Sequence, residues 1–566
     1  MLLDSQQKNY IKFLPFALIY GVHLVGAFND VMEIDAAQYA AISWEMSETN
    51  NFLETRQRGA DYLDKPPLLF WISSISFKLF GYNNFAYRFI PTLLSFLGAY
   101  ATFKLARIYY SYQVAYLSAL LLASCQAVFL MNQDLRTDNM LTTFVVFSIW
   151  QLAAYFQSKK WLYLIGGFVG VGLAMLSKGP IGLVIPILAF ASDFAAKRQW
   201  ANFFKWQYLV GLVVLGLVLL PMSIGLYQQF DLHPEKTVNS LTNVSGLKFF
   251  YWTQSFGRIT GENVWSNNPD PFFLVHTTLW SFLPWSFFLV IAFICETRDI
   301  FKNKFKKLEE NKEILLWAGF TLTFIALSRS KYQLNHYIYV VYPFGAIMTA
   351  KWIEKMVLWS KKWLNFFNIW LNFQIILLIF LAGVLGFWCF PIENWWVSAL
   401  IITFFGFALY TSVKSKNLIE KFVLPSFFAI LAVNTLMNGW VYPYLLDNFQ
   451  TESIVMKDIK KSPELVNLDN FYIVSGDLMG NTPDFYAQRV VKHVGTLDEI
   501  PNKSKVWIFC DDNFYQNTLR KATNVQVLEK EIYNDFHISV LTPEFLNPNT
   551  RNQYTKKTYL LNIIKN

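Results

Sequence analysis

The chain has 566 residues, of which 54% are hydrophobic and 18% aromatic but only 15% charged, and its mean hydropathy is +0.30. A soluble protein of this length would carry far more charge, so the composition excludes an ordinary soluble enzyme and indicates a membrane protein. The net charge of +9 would suit a nucleic-acid-binding protein. The basic residues, however, form short clusters between apolar tracts, which is the pattern of cytoplasmic loops. We therefore expect no nucleic-acid partner.

Apolar tracts recur from Ile11 to Tyr444 and predict an α-helical polytopic fold. Taking runs of about 17 to 25 residues as spans, we expect about thirteen transmembrane helices. They lie near residues 11–28, 88–109, 113–131, 139–157, 161–177, 180–195, 208–228, 272–294, 313–328, 337–353, 366–390, 394–412 and 422–442. The first tract lacks the small residues of a cleavage site and is predicted to be a retained span.

Lysine and arginine concentrate in alternate gaps between these tracts, for example at 302–307 and 355–362. The positive-inside rule places such gaps in the cytoplasm. This predicts a multi-pass protein of the cytoplasmic (inner) membrane with a cytoplasmic N-terminus. The loops 29–87 and 229–271, and the chain beyond residue 446, would then be extracytoplasmic. The four cysteines form no CxxC pair and predict no redox chemistry.

The first loop is strongly acidic although it lies between apolar tracts. Bare carboxylates are costly in hydrocarbon, so this loop must lie outside the bilayer or line a wet cavity. Asp35 stands at the start of a predicted helix, DAAQYAAISWEM. In Asp64-Lys65-Pro66-Pro67, two prolines exclude a helix through a charged pair. The apolar run 68–81 is short and predicts an interfacial helix.

Two motifs of this loop resemble those of the C-type membrane glycosyltransferases (GT-C fold), above all the branch of the lipid A aminoarabinose transferases and protein O-mannosyltransferases. They are Asp35 followed by Tyr39-Ala40, and Tyr62-Leu63-Asp64-Lys65-Pro66-Pro67-Leu68. The resemblance covers roughly the first two thirds of the chain, by motif and topology. It implies a polyprenyl-phosphate-linked sugar donor, with Asp35 as catalytic base and Lys65 as a ligand of the donor phosphate. Asp64 and Tyr62 would line the same cavity.

The external turn before the fourth predicted span contains Asp134, Arg136 and Asp138. Thr137 or Asp138 could simply cap the following helix. The resemblance, however, implies a second acidic residue that faces the cavity at this point. Asp138 matches that position better than Asp134 and is therefore the second catalytic candidate. Lys178, in Ser177-Lys178-Gly179, either extends to the lipid headgroups or lines the cavity near a lipid phosphate.

Two later external segments carry further candidates for the donor site. Arg258, in Phe256-Gly257-Arg258, matches a family arginine that contacts the donor phosphate. The family places Glu-His shortly before it, where this chain has Thr253 and Gln254. Because that histidine helps to hold a metal in some relatives, a divalent metal is in doubt here, and no metal ligand or cofactor is assigned. The turn 328–337 contributes Lys331 as a phosphate ligand and Arg329 and His336 as cavity-lining residues, with extension to the headgroups as the alternative for both cations.

The composition becomes that of a soluble domain near residue 447. FYIVSG, VVKHVG, KVWIFC and HISVLTP predict strands, and SIVMKDIKKS and DNFYQNTLRKA predict helices. We expect a transmembrane domain over 1–446 and a small extracytoplasmic α/β domain over 447–566, to which no catalysis is assigned.

A polyprenyl phosphate is already a good leaving group, so the reaction needs a base and cations rather than a general acid. The sequence predicts inverting sugar transfer to a hydroxyl or phosphate acceptor, on lipid A, a protein or a cell-surface glycan, within a layer of membrane lipids. The alternative is a solute transporter or lipid flippase, which usually places its charges at the midplane between two related halves. A sensor or scaffold is the third class. A single external cavity that gathers the ionisable residues would favour the transferase.

Overall fold

The computed structural model describes residues 9–238, 241–254, 257, 267, 269–302, 314–461, 466–474, 476, 480–502 and 504–565. Most of these residues are helical, and the buried apolar side chains of the long helices form one continuous core. The helices of the first half are α1 Asn9–Ala27, α2 Asp35–Thr49, α3 Leu68–Phe80, α4 Asn84–Tyr109, α5 Tyr112–Ser124, α6 Gln126–Gln133, α7 Thr137–Ser158, α8 Trp161–Lys178, α9 Ile181–Ala196, α10 Gln207–Leu226 and α11 Gly246–Lys248.

The second half continues the bundle and then changes character. Its helices are α12 Phe273–Ser281, α13 Ser286–Lys302, α14 Ile314–Ser328, α15 Tyr342–Lys355, α16 Lys361–Gly383, α17 Trp395–Lys414, α18 Leu418–Leu436, α19 Tyr442–Phe449, α20 Thr451–Lys461, α21 Thr482–Ala487, α22 Asp512–Asn517 and α23 Pro543–Leu546. A 3-10 turn, Asn335–Val341, leads directly into α15. π-helical turns extend α10, α16 and α18 at their C-terminal ends.

Within the described residues, seven helical segments are long and apolar enough to cross a membrane, or eight if the bent pair α5 and α6 forms one span. The remaining predicted spans coincide with shorter or interrupted helices, such as α9, α14 and the pair α12 and α13. The chain is thus a multi-pass helical protein, and the count of thirteen stays a prediction. The run 68–81 forms a helix, α3, as expected.

Close packing of the bundle depends on small residues. Gly182 lies against the backbone of α8, where an added Cβ would approach the Met175 nitrogen to 2.7 Å. Gly225, near the end of α10, lies against the first loop, where a Cβ would meet the Leu53 carbonyl oxygen at 2.0 Å. Neither position has room for a methyl group, so these glycines bring α8 against α9 and α10 against the first loop.

Within the described ranges, nine strands make three sheets. β1 Arg56–Gln57 pairs with β2 Ala60–Asp61, and β3 Thr237–Val238 with β4 Leu241–Thr242, each antiparallel. The five-stranded sheet has the order β6-β5-β7-β9-β8, formed by β5 Phe471–Val474, β6 Lys492–Val494, β7 Ser504–Asp511, β8 Val525–Asp535 and β9 Lys556–Lys565. β5 is parallel to β6 and β7, and β9 is antiparallel to β7 and β8.

Three of the four strands predicted in this region are present, but HISVLTP is not a strand. Its residues form a turn in which Ile538 and Leu541 pack against the core of the helical bundle. The strands that complete the sheet are instead β8 and β9. Both predicted helices, at 453–462 and 512–522, are found, as α20 and as α22 with a following 3-10 turn.

The sheet unit lies directly against the first loop. Arg58 donates to Asp484 at 2.6 Å, the Thr482 N–H donates to Glu33 at 2.6 Å, and the Val31 N–H donates to the Tyr486 hydroxyl at 2.9 Å. These bonds join two segments more than four hundred residues apart. The start of α2 is therefore held between the helical bundle and the sheet unit.

Candidate functional site

Asp35 is the first residue of α2, at the point where the first loop turns back toward the bundle. The N-cap position is Ile34, and no side chain caps the helix. The Asp35 carboxylate instead forms an ion pair with the Arg136 guanidinium. Its side chain remains 36% exposed. Helix capping is therefore not what this aspartate does in the fold, and its carboxylate is accessible.

Asp138 is the second residue of α7, and the prediction that Thr137 or Asp138 caps this helix is wrong. The N-cap is Arg136, without a side-chain cap. The Asp138 carboxylate forms an ion pair with Lys178 at the end of α8, and its other oxygen lies 3.7 Å from His336 Nε2. The Asp138 side chain is only 4% exposed. It is thus buried beside a cation, in contrast to the accessible Asp35.

Lys178 and His336 complete this buried cluster. The Lys178 ammonium lies 3.8 Å from the centre of the Tyr337 ring, a cation–π contact. Burial, reinforced by the charges of Lys178, Arg136 and Lys65, holds the pKa of His336 well below its ordinary value. The imidazole is therefore neutral at physiological pH. Asp138 consequently has a single charged partner in this cluster, Lys178.

These groups face one cavity of about 350 Å³, a volume typical of small-ligand sites. The cavity brings together six of the predicted residues, contributed by the first loop, the α6–α7 turn, α8 and the turn before α15. The lining consists of Asp35, Tyr39, Asp64, Lys65, Arg136, Thr137, Asp138, Leu141, Lys178, Ile181, Val184, Gln254, Ala326, Leu327, Ser330, Tyr332, Leu334, His336, Tyr337 and Val340. The lining therefore combines charged side chains with apolar ones, as an amphiphilic ligand requires.

The charged side chains of the lining form three carboxylate–cation pairs. Asp35 pairs with Arg136, Asp138 with Lys178, and Asp64 with its neighbour Lys65. The two prolines after Lys65 hold that third pair at the cavity, where a helix cannot continue. Among the described lining residues the three pairs balance in charge, so a phosphate bound by one of these cations would compete with its carboxylate.

Four predicted residues lie elsewhere or outside the described part of the chain. Arg329 and Lys331 are exposed and are not among the lining residues, so their predicted roles stay predictions. Tyr62 lines a small neighbouring cavity together with Lys65, and its buried hydroxyl has no hydrogen-bond partner among the described residues. Arg258 lies outside the described residues.

Sequence reasoning missed several cavity residues, of which Arg136 and Tyr337 are the most consequential. In the sequence, Arg136 is only part of a charged turn. Its pairing with Asp35 is not predictable, because the two residues are 101 positions apart. Tyr337 follows His336 directly and could have been found as the next residue of the same polar turn. The other polar lining residues that were not predicted are Tyr39, Thr137, Gln254, Ser330 and Tyr332.

The described residues contain no group of three or more histidine, cysteine, aspartate or glutamate side chains placed to hold a metal ion. Each cavity carboxylate is engaged by a different cation. The chemistry proposed for the site uses only side chains of the protein.

Comparison with known proteins gives a consistent result. Residues 64–224 match the family described as dolichyl-phosphate-mannose-protein mannosyltransferase. An uncharacterized protein of Aquifex aeolicus (strain VF5) is 26% identical over 492 residues, 86% of this chain and 88% of that protein. The undecaprenyl phosphate-alpha-4-amino-4-deoxy-L-arabinose arabinosyl transferase of Enterobacter sp. (strain 638) is 24% identical over 396 residues, 67% of this chain and 66% of that protein.

A solved structure shows the same fold over the full length. ArnT from Cupriavidus metallidurans, bound to undecaprenyl phosphate, superposes with a TM-score of 0.73 at 14% identity, over 98% of each chain. The chain therefore has the fold of this transferase, with carboxylates and cations gathered at one cavity. In sequence it is similar to the arabinosyl transferases and to the protein mannosyltransferase family. The predicted resemblance is confirmed, and the transporter alternative is not favoured.

Proposed function

We propose that the protein catalyses the inverting transfer of a sugar from a polyprenyl-phosphate-linked donor to a hydroxyl or phosphate acceptor. The observation that carries this proposal is the cavity itself, which is lined by an accessible carboxylate, Asp35, a lysine, Lys65, and several apolar side chains. A donor of this kind has a polar sugar phosphate and an apolar chain, and this mixed lining suits both. Relatives named for undecaprenyl-phosphate-linked sugars support the donor class.

In this mechanism the acceptor oxygen attacks the anomeric carbon, and the bond from that carbon to the phosphate oxygen breaks. The polyprenyl phosphate departs with the bonding electrons, and Asp35 takes the acceptor proton. Attack opposite the leaving group inverts the anomeric configuration. Asp35 is assigned as base over Asp138 because it is 36% exposed, whereas Asp138 is 4% exposed and held by Lys178.

The departing phosphate is stabilised by cations. Lys65 lines the cavity directly before the two prolines and is the first proposed phosphate ligand. Arg258 is the second, because its motif matches the family arginine. Arginine suits this role because its guanidinium binds phosphate oxygens in pairs. Lys331 is exposed and outside the lining, so it takes no part in the proposed mechanism.

The site is placed on the outer face of the cytoplasmic membrane, with about thirteen spans and a cytoplasmic N-terminus. The unit from residue 447 onward is proposed as an extracytoplasmic domain that supports the first loop. Labelling of single introduced cysteines tests this topology. Residues 355–362 should be protected from an impermeant reagent and residues 512–517 should react, whereas reaction of both from one side would contradict the arrangement.

The activity is tested with the purified protein and polyprenyl-phosphate-linked sugars, by following the release of polyprenyl phosphate. Lys65→Ala should reduce donor affinity or turnover by about tenfold or more, since a charge-assisted hydrogen bond is worth about 1.5–3 kcal/mol. Lys236→Ala is the matched control, because Lys236 is bound to Asp61 at 2.8 Å and is not a lining residue. Equal kinetics for both variants would refute the role of Lys65.

The acceptor is proposed to be lipid A, a protein or a cell-surface glycan. Mass spectrometry of these three fractions from a strain lacking the protein distinguishes them. The fraction that loses a sugar identifies the acceptor, and unchanged masses in all three would contradict the proposed reaction.

A further inference from the structure

Arg136 joins two carboxylates at the edge of the cavity. It lies in the turn between α6 and α7, and its guanidinium binds Asp134 through Nε at 2.9 Å and Nη2 at 2.7 Å. The third nitrogen, Nη1, donates to Asp35 Oδ2. Asp134 is only two residues away, so the contact with it is local to the turn. The long-range contact is the one to Asp35.

The geometry of this bridge is rigid. A planar guanidinium that is held through two of its nitrogens cannot rotate, so the direction of the third nitrogen is fixed. The Arg136 side chain is only 18% exposed, which restricts it further. Burial opposes a charge on the guanidinium, but the carboxylates of Asp134 and Asp35 outweigh it and raise the pKa of Arg136. The residue is therefore a permanent cation with a fixed orientation.

The consequence for Asp35 is a difference between its two oxygens. Oδ2 is bound by Arg136, and no hydrogen bond to Oδ1 is found within the described ranges. A carboxylate that is held at one oxygen presents the other in a defined direction. Asp35 is the first residue of α2, and no side chain caps this helix. The Asp35 carboxylate is therefore held by Arg136 and not by the start of the helix.

We propose that Arg136 is a positioning residue for sugar transfer, which holds Asp35 at Oδ2 so that Oδ1 receives the acceptor proton, and that Asp134 anchors Arg136 in turn. This inference rests on the proposed role of Asp35 as base. A base that is misplaced by about 1 Å can lose about a hundredfold in rate. The bridge therefore affects the chemical step, while the donor phosphate is bound elsewhere, by Lys65 and Arg258.

The test compares kcat and the donor KM of Arg136→Gln, Arg136→Lys and Asp134→Asn. Arg136→Gln should lower kcat by about 10- to 100-fold and leave the donor KM within about threefold, since donor binding is not its role. Arg136→Lys should fall between this variant and the wild type, because an ammonium cannot hold both carboxylates in the same plane. Arg58→Gln is the matched control, because Arg58 of the first loop also pairs with an aspartate, Asp484 of α21, but neither residue lines the cavity.

The outcomes separate the two proposals. If Asp35→Asn is inactive and a folded Arg136→Gln has a normal kcat, the positioning role is wrong and the function stands. If Asp35→Asn retains activity, the proposed base itself is wrong. If Arg136→Gln does not fold, Asp134→Asn tests the positioning role instead, because this variant keeps Arg136 but removes the carboxylate that anchors it. A reduced kcat with unchanged donor KM supports the inference, and a wild-type kcat overturns it.

Discussion

The pair formed by Lys178 and Asp138 allows a controlled test of the site, because the chain contains a second pair of similar burial. The side chains of Lys178 and Asp138 are 16% and 4% exposed. Those of Lys197 and Asp193, which pair at 2.7 Å at the end of α9, are 13% and 8% exposed. None of the residues that line the cavity belongs to the second pair. Replacing either lysine by methionine thus removes an equivalent charge from two different places.

The expected magnitudes follow from this burial. Removing one partner of a fully buried ion pair costs about 3–5 kcal/mol, because the remaining charge is left uncompensated. Both pairs retain some exposure, so we expect each variant to lose about 2–3 kcal/mol of stability. Turnover should differ. Lys178→Met should lower it by about tenfold or more, the equivalent of one charge-assisted hydrogen bond at the site, and Lys197→Met should leave it nearly unchanged.

The assay combines thermal unfolding of the purified protein in detergent with release of polyprenyl phosphate at temperatures where both variants are folded. Comparable losses of stability with loss of turnover confined to Lys178→Met would support the role of the cavity cluster. Equal turnover of the two variants would refute the reasoning, since Lys178 would then be only a structural cation.

Two further predictions concern stability. Burial raises the pKa of both Glu33 and Glu452, and the charge of Glu33 raises that of Glu452 further above its ordinary 4.5. These carboxyls therefore contribute fully to stability below their unfolded-state pKa, and the contribution is lost as the pH rises through their folded-state pKa. The melting temperature should fall between pH 5 and pH 8, and Glu452→Gln should make that fall smaller. An unchanged fall in the variant would contradict this. Gly225→Ala should cost about 1–3 kcal/mol, because its Cβ would collide with a backbone carbonyl. Gly216→Ala, in the same helix but with no described atom beyond its own helical turn within 4 Å of the added carbon, should cost nothing, and equal melting temperatures for the two variants would disprove the close contact.

The helical part of the fold was predictable because its signal is local. Apolar runs coincide with helices throughout the bundle, and the turn at Asp64-Lys65-Pro66-Pro67 lies at the cavity as its prolines require. The number of spans was less predictable. Composition finds an apolar run whether the helix is continuous or is interrupted, as it is between α12 and α13.

The sheet region shows the limit of local patterns. HISVLTP has the alternation of a strand, yet its apolar side chains contact the bundle instead of a neighbouring strand. β8 was missed for the opposite reason: it is an edge strand, largely exposed, and its charged sequence gives no core-facing pattern. In both cases the structure of the segment depends on the surface that it packs against, and the tertiary fold determines that surface.

Part of the candidate site was predicted, but its pairing was not. Six predicted residues line the cavity: Asp35, Asp64, Lys65, Asp138, Lys178 and His336. The capping alternative for Asp138 was wrong because Arg136 occupies the N-cap position. The bridge from Arg136 to Asp35 spans 101 residues, and no spacing rule connects positions so far apart. The position of Lys331 and Arg329 outside the lining was not predictable for a related reason, since a charge in an external turn does not reveal the direction of its side chain.

The central claim, that Asp35 is the base of a sugar transfer from a polyprenyl phosphate, is tested most directly with Asp35→Asn. The asparagine keeps the size of the side chain, and Arg136 keeps its bonds to Asp134, so the variant should fold and bind donor. It cannot accept the acceptor proton, and turnover should fall by about 10²–10⁴-fold, the usual contribution of a general base. The measurement is transfer of labelled sugar at saturating donor, alongside donor binding. Near-normal transfer by the folded variant would contradict the account and leave Asp138 as the remaining carboxylate candidate.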